Sequence, residues 1–260
     1  MEIKFGPAGL GSVKEAVGNL EDFYKKGLKA CEVAFTYGIY IKKDKHNEEI
    51  LEIKDFVRNY GIELSVHAPY WINLNSNEKE KIEASKKRIL DSVEIANSIG
   101  AKRVVFHPGY YGSDKELAYE NIKFAIVEMM DFVKKEGWDV ELCPEVMGKK
   151  NVFGSIDEIS RLVDETGCGF CIDFAHVLAR YGKYEFGLLK EKFPGKKWHC
   201  HFSGIEYGEK GERNHKLTSA EEWEKVLRSI PRDKEIVIIN ESPDPVGDSV
   251  LGLKLFSSRV

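Results

Sequence analysis

At 260 residues, 42% of them hydrophobic, and with a formal net charge of −4, this chain has the size and balance expected of one soluble domain spanning 1–260. It carries no apolar run of membrane-spanning length and no basic-then-apolar leader behind Met1, so the expectation is a cytoplasmic protein without a membrane or an obligate protein partner. The acidic total gives no general attraction to nucleic acid, although three bound divalent ions would add about +6 of charge at one place and create a local anion site.

Period and punctuation predict eight strands, near Glu2–Phe5, Ala30–Phe35, Glu63–His67, Arg103–His107, Val140–Glu145, Gly169–Asp173, Trp198–Phe202 and Glu235–Glu241. Charged stretches of helical period lie between them: Val13–Lys26, Glu48–Tyr60, Lys79–Ile99, Glu116–Glu136, Ile156–Thr166 and Ala220–Ser229, with Asp248–Phe256 as a closing helix. Gly61, Gly100, Gly137 and Gly167 each follow a helical stretch and precede a strand, as helix stop signals do. Strand-helix alternation of this kind predicts an α/β fold, a (β/α)8 TIM barrel. The glycines after the first strand, Gly6, Gly9 and Gly11, lack the spacing of a dinucleotide-binding loop, which argues against an open doubly wound sheet.

The strands run into metal-competent side chains: His67, His107, Glu145, Asp173, His201 and Glu241, with His176 three residues after Asp173 and His215 in the loop after the seventh strand. Such barrels collect their chemistry at the carboxyl ends of their strands. Carboxylates converging on one mouth repel unless a cation neutralises them, and oxygen and imidazole donors suit zinc, manganese or iron. Alone, each of these residues would more often be a hydrogen-bonded polar group or a helix cap. Their matched positions shift that balance. His199 shares a strand face with His201 and is expected behind it as support, whereas His46 is expected to face solvent. Cys168 and Cys171 have redox-pair spacing, but the five cysteines are read as reduced, buried residues.

The segments His67-Ala-Pro-Tyr70-Trp-Ile-Asn73-Leu74, His107-Pro-Gly109, Glu145, Cys171-Ile-Asp173-Phe-Ala-His176, His201 and Glu241, in that order, resemble the apurinic/apyrimidinic endonuclease IV family of the xylose isomerase-like barrels. The resemblance runs from about Val66 to Glu241. It implies an enzyme with two to three zinc ions, manganese being an alternative, that hydrolyses duplex DNA 5′ to abasic sites and leaves a 3′-hydroxyl in base excision repair. By position it implies one metal on His67, His107 and Glu145, a second on Glu145, Asp173, His201 and Glu241, and a third with His176 and His215. Glu145 is then the shared, catalytic carboxylate, and Tyr70 and Trp71 contact DNA at the gap.

Three departures from that pattern stand out. The family's Asp-x-His becomes Glu212-Arg213-Asn214-His215, its Asn-Asp after His201 becomes Phe202-Ser203-Gly204, and Phe174 follows Asp173 where Thr or Ser is usual. Lys149, Lys150, Lys210 and Arg213 are candidate phosphate contacts beside a plain solvating role. The competing expectation is a sugar isomerase or epimerase with one metal on Glu145, Asp173, His201 and Glu241, in which Glu145 and Glu241 handle protons. A noncatalytic binding protein that kept the barrel is the third.

Overall fold

The computed structural model describes residues 2–258, so both ends of the expected 1–260 domain lie outside the described residues. Eight parallel strands form the barrel wall: β1 (Glu2–Pro7), β2 (Ala30–Ala34), β3 (Glu63–His67), β4 (Arg103–Phe106), β5 (Glu141–Pro144), β6 (Ile172–Asp173), β7 (Lys197–Phe202) and β10 (Glu235–Asn240). Hydrogen bonding joins β2-β3-β4-β5 and β1-β10-β7-β6, and single parallel bridges, Ala8 to Glu32 and Glu145 to Cys171, close the two halves into a ring. Gly6 belongs at one of those joins because a Cβ there would sit 1.8 Å from the Ala30 carbonyl oxygen, so β1 reaches β2 only without a side chain.

Six of the outer helices, α1 (Ala16–Lys25), α2 (Asn47–Tyr60), α3 (Lys79–Ile99), α4 (Lys115–Lys135), α5 (Ile156–Thr166) and α8 (Ala220–Ser229), fall within two residues of their expected ends except at the start of α1, where Val13–Glu15 is a short 3-10 turn. Gly61, Gly100 and Gly167 take left-handed conformations directly after α2, α3 and α5, and Gly137 does so two residues beyond the end of α4. The closing helix α9 starts earlier than expected, at Pro245, where Asp244 caps it, and runs to Ser257. Among the described residues, no helix is long and apolar enough to cross a membrane.

Two regions differ from expectation. The segment after β6 lies outside the stretches predicted to be helical, but it forms α6 (Phe174–Tyr181) and then α7 (Phe186–Lys192). The Asp173 carboxylate starts α6 by accepting the His176 N–H at 2.7 Å, a cap that turns the end of β6 straight into a helix. The stretch after β7 was expected to be loop, yet it pairs as an antiparallel hairpin of β8 (Gly204–Gly208) and β9 (Gly211–Lys216).

The two-residue period of the strands sorts the barrel interior into layers. Outward residues such as Val66, Val104, Leu142, Trp198 and Ile238 join the main apolar core beneath the helices. The alternate residues face inward. At the amino end Lys4, Glu63, Arg103 and Glu141 link in ion pairs of 3.2–3.6 Å, forming a charged floor. Above it lie Glu32, Ser65, His199 and the small cluster Val105, Cys143 and Cys171. The next inward step brings His67, His107, Glu145, Asp173, His201 and Glu241 to the mouth, because each stands two residues beyond a member of the middle layer or at the end of a neighbouring strand. All five cysteines are free and buried.

Candidate metal centre

Glu145 is the hub of the mouth. It is fully buried, and four imidazoles approach it: His107 Nε2 at 3.0 Å, His176 Nδ1 at 3.1 Å, His67 Nε2 at 3.4 Å and His201 Nδ1 at 3.5 Å. His201 Nδ1 also lies 3.4 Å from Glu241, whose second oxygen is 4.0 Å from His215 Nδ1. All eight ligand candidates read from the sequence therefore come together. Their donor atoms form three overlapping groups, each within 4.8 Å: His67, His107 and Glu145; Glu145, Asp173, His201 and Glu241; and Asp173, His176 and His215.

Nearby main chain fixes which face several of the rings present. His67 Nδ1 lies 2.7 Å from the Ala68 carbonyl, His176 Nδ1 3.1 Å from the Val146 carbonyl, and His215 Nδ1 3.2 Å from the Glu241 carbonyl. In the neutral ring a nitrogen facing a carbonyl oxygen carries the proton, and the other nitrogen is then the one able to ligate. His176 Nε2 then faces Glu212 Oε2 at 3.3 Å, so the longer acid at this altered segment does reach the third group. Gly148 makes room for it, since a Cβ there would lie 2.8 Å from both Glu212 Cβ and Oε2.

The electrostatics of the cluster are those of a cation site. Burial alone would raise the Glu145 carboxyl, but the charges of His176 and His107 hold it well below the usual range. Glu241, likewise raised by burial, is brought down to about 2 by His201. For Asp173 burial wins, and with Glu145 and Glu241 beside it the carboxyl is pushed up despite His176. Burial would depress the His67 imidazolium, yet its hydrogen bond to Glu145 and the charge of that group lift it to about 9. The buried atoms Glu145 Oε1, Asp173 Oδ2, His201 Nδ1 and Glu212 Oε2 have no hydrogen-bond partner, and a buried polar atom left unpaired costs about 1–3 kcal/mol. Nitrogen and carboxylate donors with open valences in one concavity fit divalent metal ions of the zinc or manganese kind.

Around the mouth the loops are tied to one another. Asn73 Oδ1 accepts the N–H groups of Asn75 and Tyr110, and Leu74 N–H donates to the Pro108 carbonyl, joining the loops after β3 and β4. Arg180 holds the loop after β5 through the carbonyls of Met147, Lys149 and Val152 while also donating to the Tyr111 hydroxyl. Tyr70 stacks on His107 with ring centroids 5.3 Å apart, and Trp71 beside it is 65% exposed. Lys150 N–H donates to the Lys210 carbonyl, which joins the loop after β5, with Lys149 and Lys150, to the β8–β9 hairpin, with Lys210 and Arg213.

His199 packs edge-on to His201 with ring centroids 5.6 Å apart, and its Nε2 lies 3.4 Å from Glu32, a residue that sequence reasoning passed over. His46 is half-buried instead of solvent-facing, because its Nδ1 accepts the Lys42 N–H at 3.0 Å and closes the turn before α2. Glu32 was discoverable: an acid inside the apolar run Ala30–Ala34 is rare unless paired.

A parallel (β/α)8 barrel whose mouth gathers imidazoles and carboxylates defines a class of metal-competent barrel proteins. The family model described as "Xylose isomerase-like TIM barrel" matches residues 20–256, and the chain belongs to that family. An uncharacterized protein of Methanocaldococcus jannaschii is 36% identical, over 97% of this chain and 96% of that protein. An apurinic-apyrimidinic endonuclease of Caenorhabditis elegans is 26% identical over 70% of this chain, but the match spans only 48% of its length. Among solved structures, SacUVDE superposes with a TM-score of 0.78 at 16% identity, covering 100% of this chain and 99% of that one. Endonuclease IV from Thermus thermophilus has a TM-score of 0.70 at 18% identity, with coverage of 99% and 98%, and a D-tagatose 3-epimerase-like protein 0.72 at 20%, with 100% and 98%. At such identities the three structures establish a shared fold.

Proposed function

We propose that this protein is a metal-dependent phosphodiesterase that incises duplex DNA 5′ to an abasic site, leaves a 3′-hydroxyl, and serves base excision repair in the cytoplasm. The observation that carries the reading is the presence of histidine groups on both sides of the central Glu145, Asp173, His201 and Glu241 set. A single metal on the central set would leave His67, His107, His176 and His215 without an ion to ligate. Relatives named apurinic-apyrimidinic endonuclease and endonuclease 4 support it, although the matched stretch covers about half of their length.

In this reading His67, His107 and Glu145 hold one zinc ion, Glu145, Asp173, His201 and Glu241 a second, and His176 and His215 a third with Asp173 or Glu212. Bound there, the ions would supply acidified water and neutralise charge on the scissile phosphate. Glu145 orients both neighbouring groups because each of its oxygens faces different imidazoles. Tyr70, braced on His107, and exposed Trp71 offer ring faces to the bases flanking a gap, and a missing base lowers the cost of entering the stack. Lys149, Lys150, Lys210 and Arg213 meet phosphates on either side. Five free, buried cysteines suit a reducing compartment.

The second reading, a sugar isomerase or epimerase, rests on the same central set, with Glu145 and Glu241 moving protons on either side of a sugar carbon. One experiment separates the two. Zinc-loaded and manganese-loaded protein is given a duplex with one stable abasic analogue and, in parallel, an intact duplex and a panel of ketoses. Specific 5′ incision with a 3′-hydroxyl supports the nuclease. No incision at full metal occupancy, with ketose turnover, refutes it in favour of the sugar enzyme.

A further inference from the structure

Of the ligand candidates whose second nitrogen faces an acceptor, His67, His176 and His215 use neutral main-chain carbonyls. His201 differs. Its Nε2 lies 3.1 and 3.3 Å from the two oxygens of Glu32, one layer deeper in the barrel. Both side chains are fully buried. The carboxylate has other donors as well: Ser65 Oγ–H at 2.7 Å and His199 Nε2 at 3.4 Å, each from a different strand of the ring. Backbone register sets this up, since Glu32 pairs with Ser65 across β2 and β3, and His199 and His201 are consecutive inward residues of β7.

A buried carboxylate is costly unless it is paired, and here Ser65, His199 and His201 all reach Oε2, while Oε1 has no hydrogen-bond partner beyond its 3.1 Å approach to His201 Nε2. A carboxylate on the far nitrogen of a ligating imidazole fixes the ring's tautomer and raises its basicity. Cys171, His199 and His201 also converge within 4.8 Å, but that set would need a His201 nitrogen, and both are engaged, one by Glu32 and the other by the mouth.

We infer that Glu32 is a positioning residue for the metal centre: it holds His201 in the Nε2–H tautomer, aims Nδ1 at the Glu145, Asp173 and Glu241 group, and tightens the ion held there. This rests on the metal reading of the mouth and would hold whether the substrate is DNA or a sugar. The test compares the full-length wild type with Glu32→Gln, which keeps size and loses charge. Zinc stoichiometry and affinity are read by competition with a chromophoric chelator, and the His201 tautomer by long-range ¹H–¹⁵N correlation in zinc-loaded protein. The expected result is a folded E32Q with about 10–100-fold weaker binding of one ion, the other ions unchanged, and a shifted His201 signature. Unchanged zinc affinity and an unchanged His201 spectrum in E32Q overturn the inference alone. A wild type that takes up no zinc overturns the metal reading and this inference together. Should E32Q fail to fold, the wild-type spectrum still decides, because an Nδ1–H tautomer at zinc-loaded His201 contradicts the assignment outright.

Discussion

Competition between protons and metal at His67 gives a quantitative expectation. In the metal-free protein burial opposes the imidazolium, but Glu145 outweighs it and raises the group from its ordinary 6.5 to about 9, a difference worth about 3 kcal/mol at 1.36 kcal/mol per pH unit. A zinc ion needs the neutral ring, so near pH 7 it must displace that proton, and each unit of pH between about 7 and 9 should strengthen apparent binding about tenfold for this proton alone. His176, lifted by Asp173 and Glu145 despite burial, and His201, lifted by Cys171 first and then by Glu241 and Glu32, steepen the dependence further. The sign for stability is opposite. A group whose folded value is raised contributes fully below its unfolded value of about 6.5 and loses that contribution as pH rises through about 9, so metal-free protein should weaken over this window while the zinc-loaded form does not. Calorimetric titration with zinc at pH 6.5, 7.5 and 8.5, in buffers of differing ionisation enthalpy, counts the protons released. A pH-independent affinity with no proton release would refute the reasoning.

Replacement of His107 by Ala should remove one ion by elemental analysis and cut phosphodiester hydrolysis at least a hundredfold with the fold intact by circular dichroism. Arg180→Ala breaks contacts to three carbonyls and the Tyr111 hydroxyl, and urea melts should show a loss of about 2–3 kcal/mol, since hydrogen bonds to a charged group are worth about 1.5–3. Gly6→Ala forces a Cβ against the Ala30 carbonyl, and denaturation should register a cost of about 3 kcal/mol or more from overpacking at the join.

Much of the barrel and its mouth was legible in the sequence because strand alternation and post-strand chemistry share one cause. A residue at the carboxyl end of a parallel strand with its alternate neighbours facing in must face the mouth, so reading His67, Glu145 and His201 from their strands amounted to reading the geometry. The parts that escaped obey other rules. Phe174–Tyr181 is helical although it begins at a ligand candidate, because Asp173 caps with one oxygen and leaves the other unpaired. The hairpin of β8 and β9 carries few of the apolar alternations that mark a strand, its signal being the glycines Gly208 and Gly211 at the turn. Glu32 was missed because attention to strand ends overlooks a charge in the middle of one.

The hairpin has a consequence for how this mouth can be remodelled. Glu212 and His215 ride on segment 204–216, outside the repeating strand-helix units, and that segment meets the barrel rim through the Gly148 carbonyl and the Lys150 amide. Exchanging it for a hairpin of another sequence would change the donors facing His176 and the charge presented to a substrate, while leaving all eight wall strands and the ring of Glu145 untouched. The set of donors at the mouth is thereby separable from the architecture that supports it, and a transplanted hairpin is the natural unit in which to vary it.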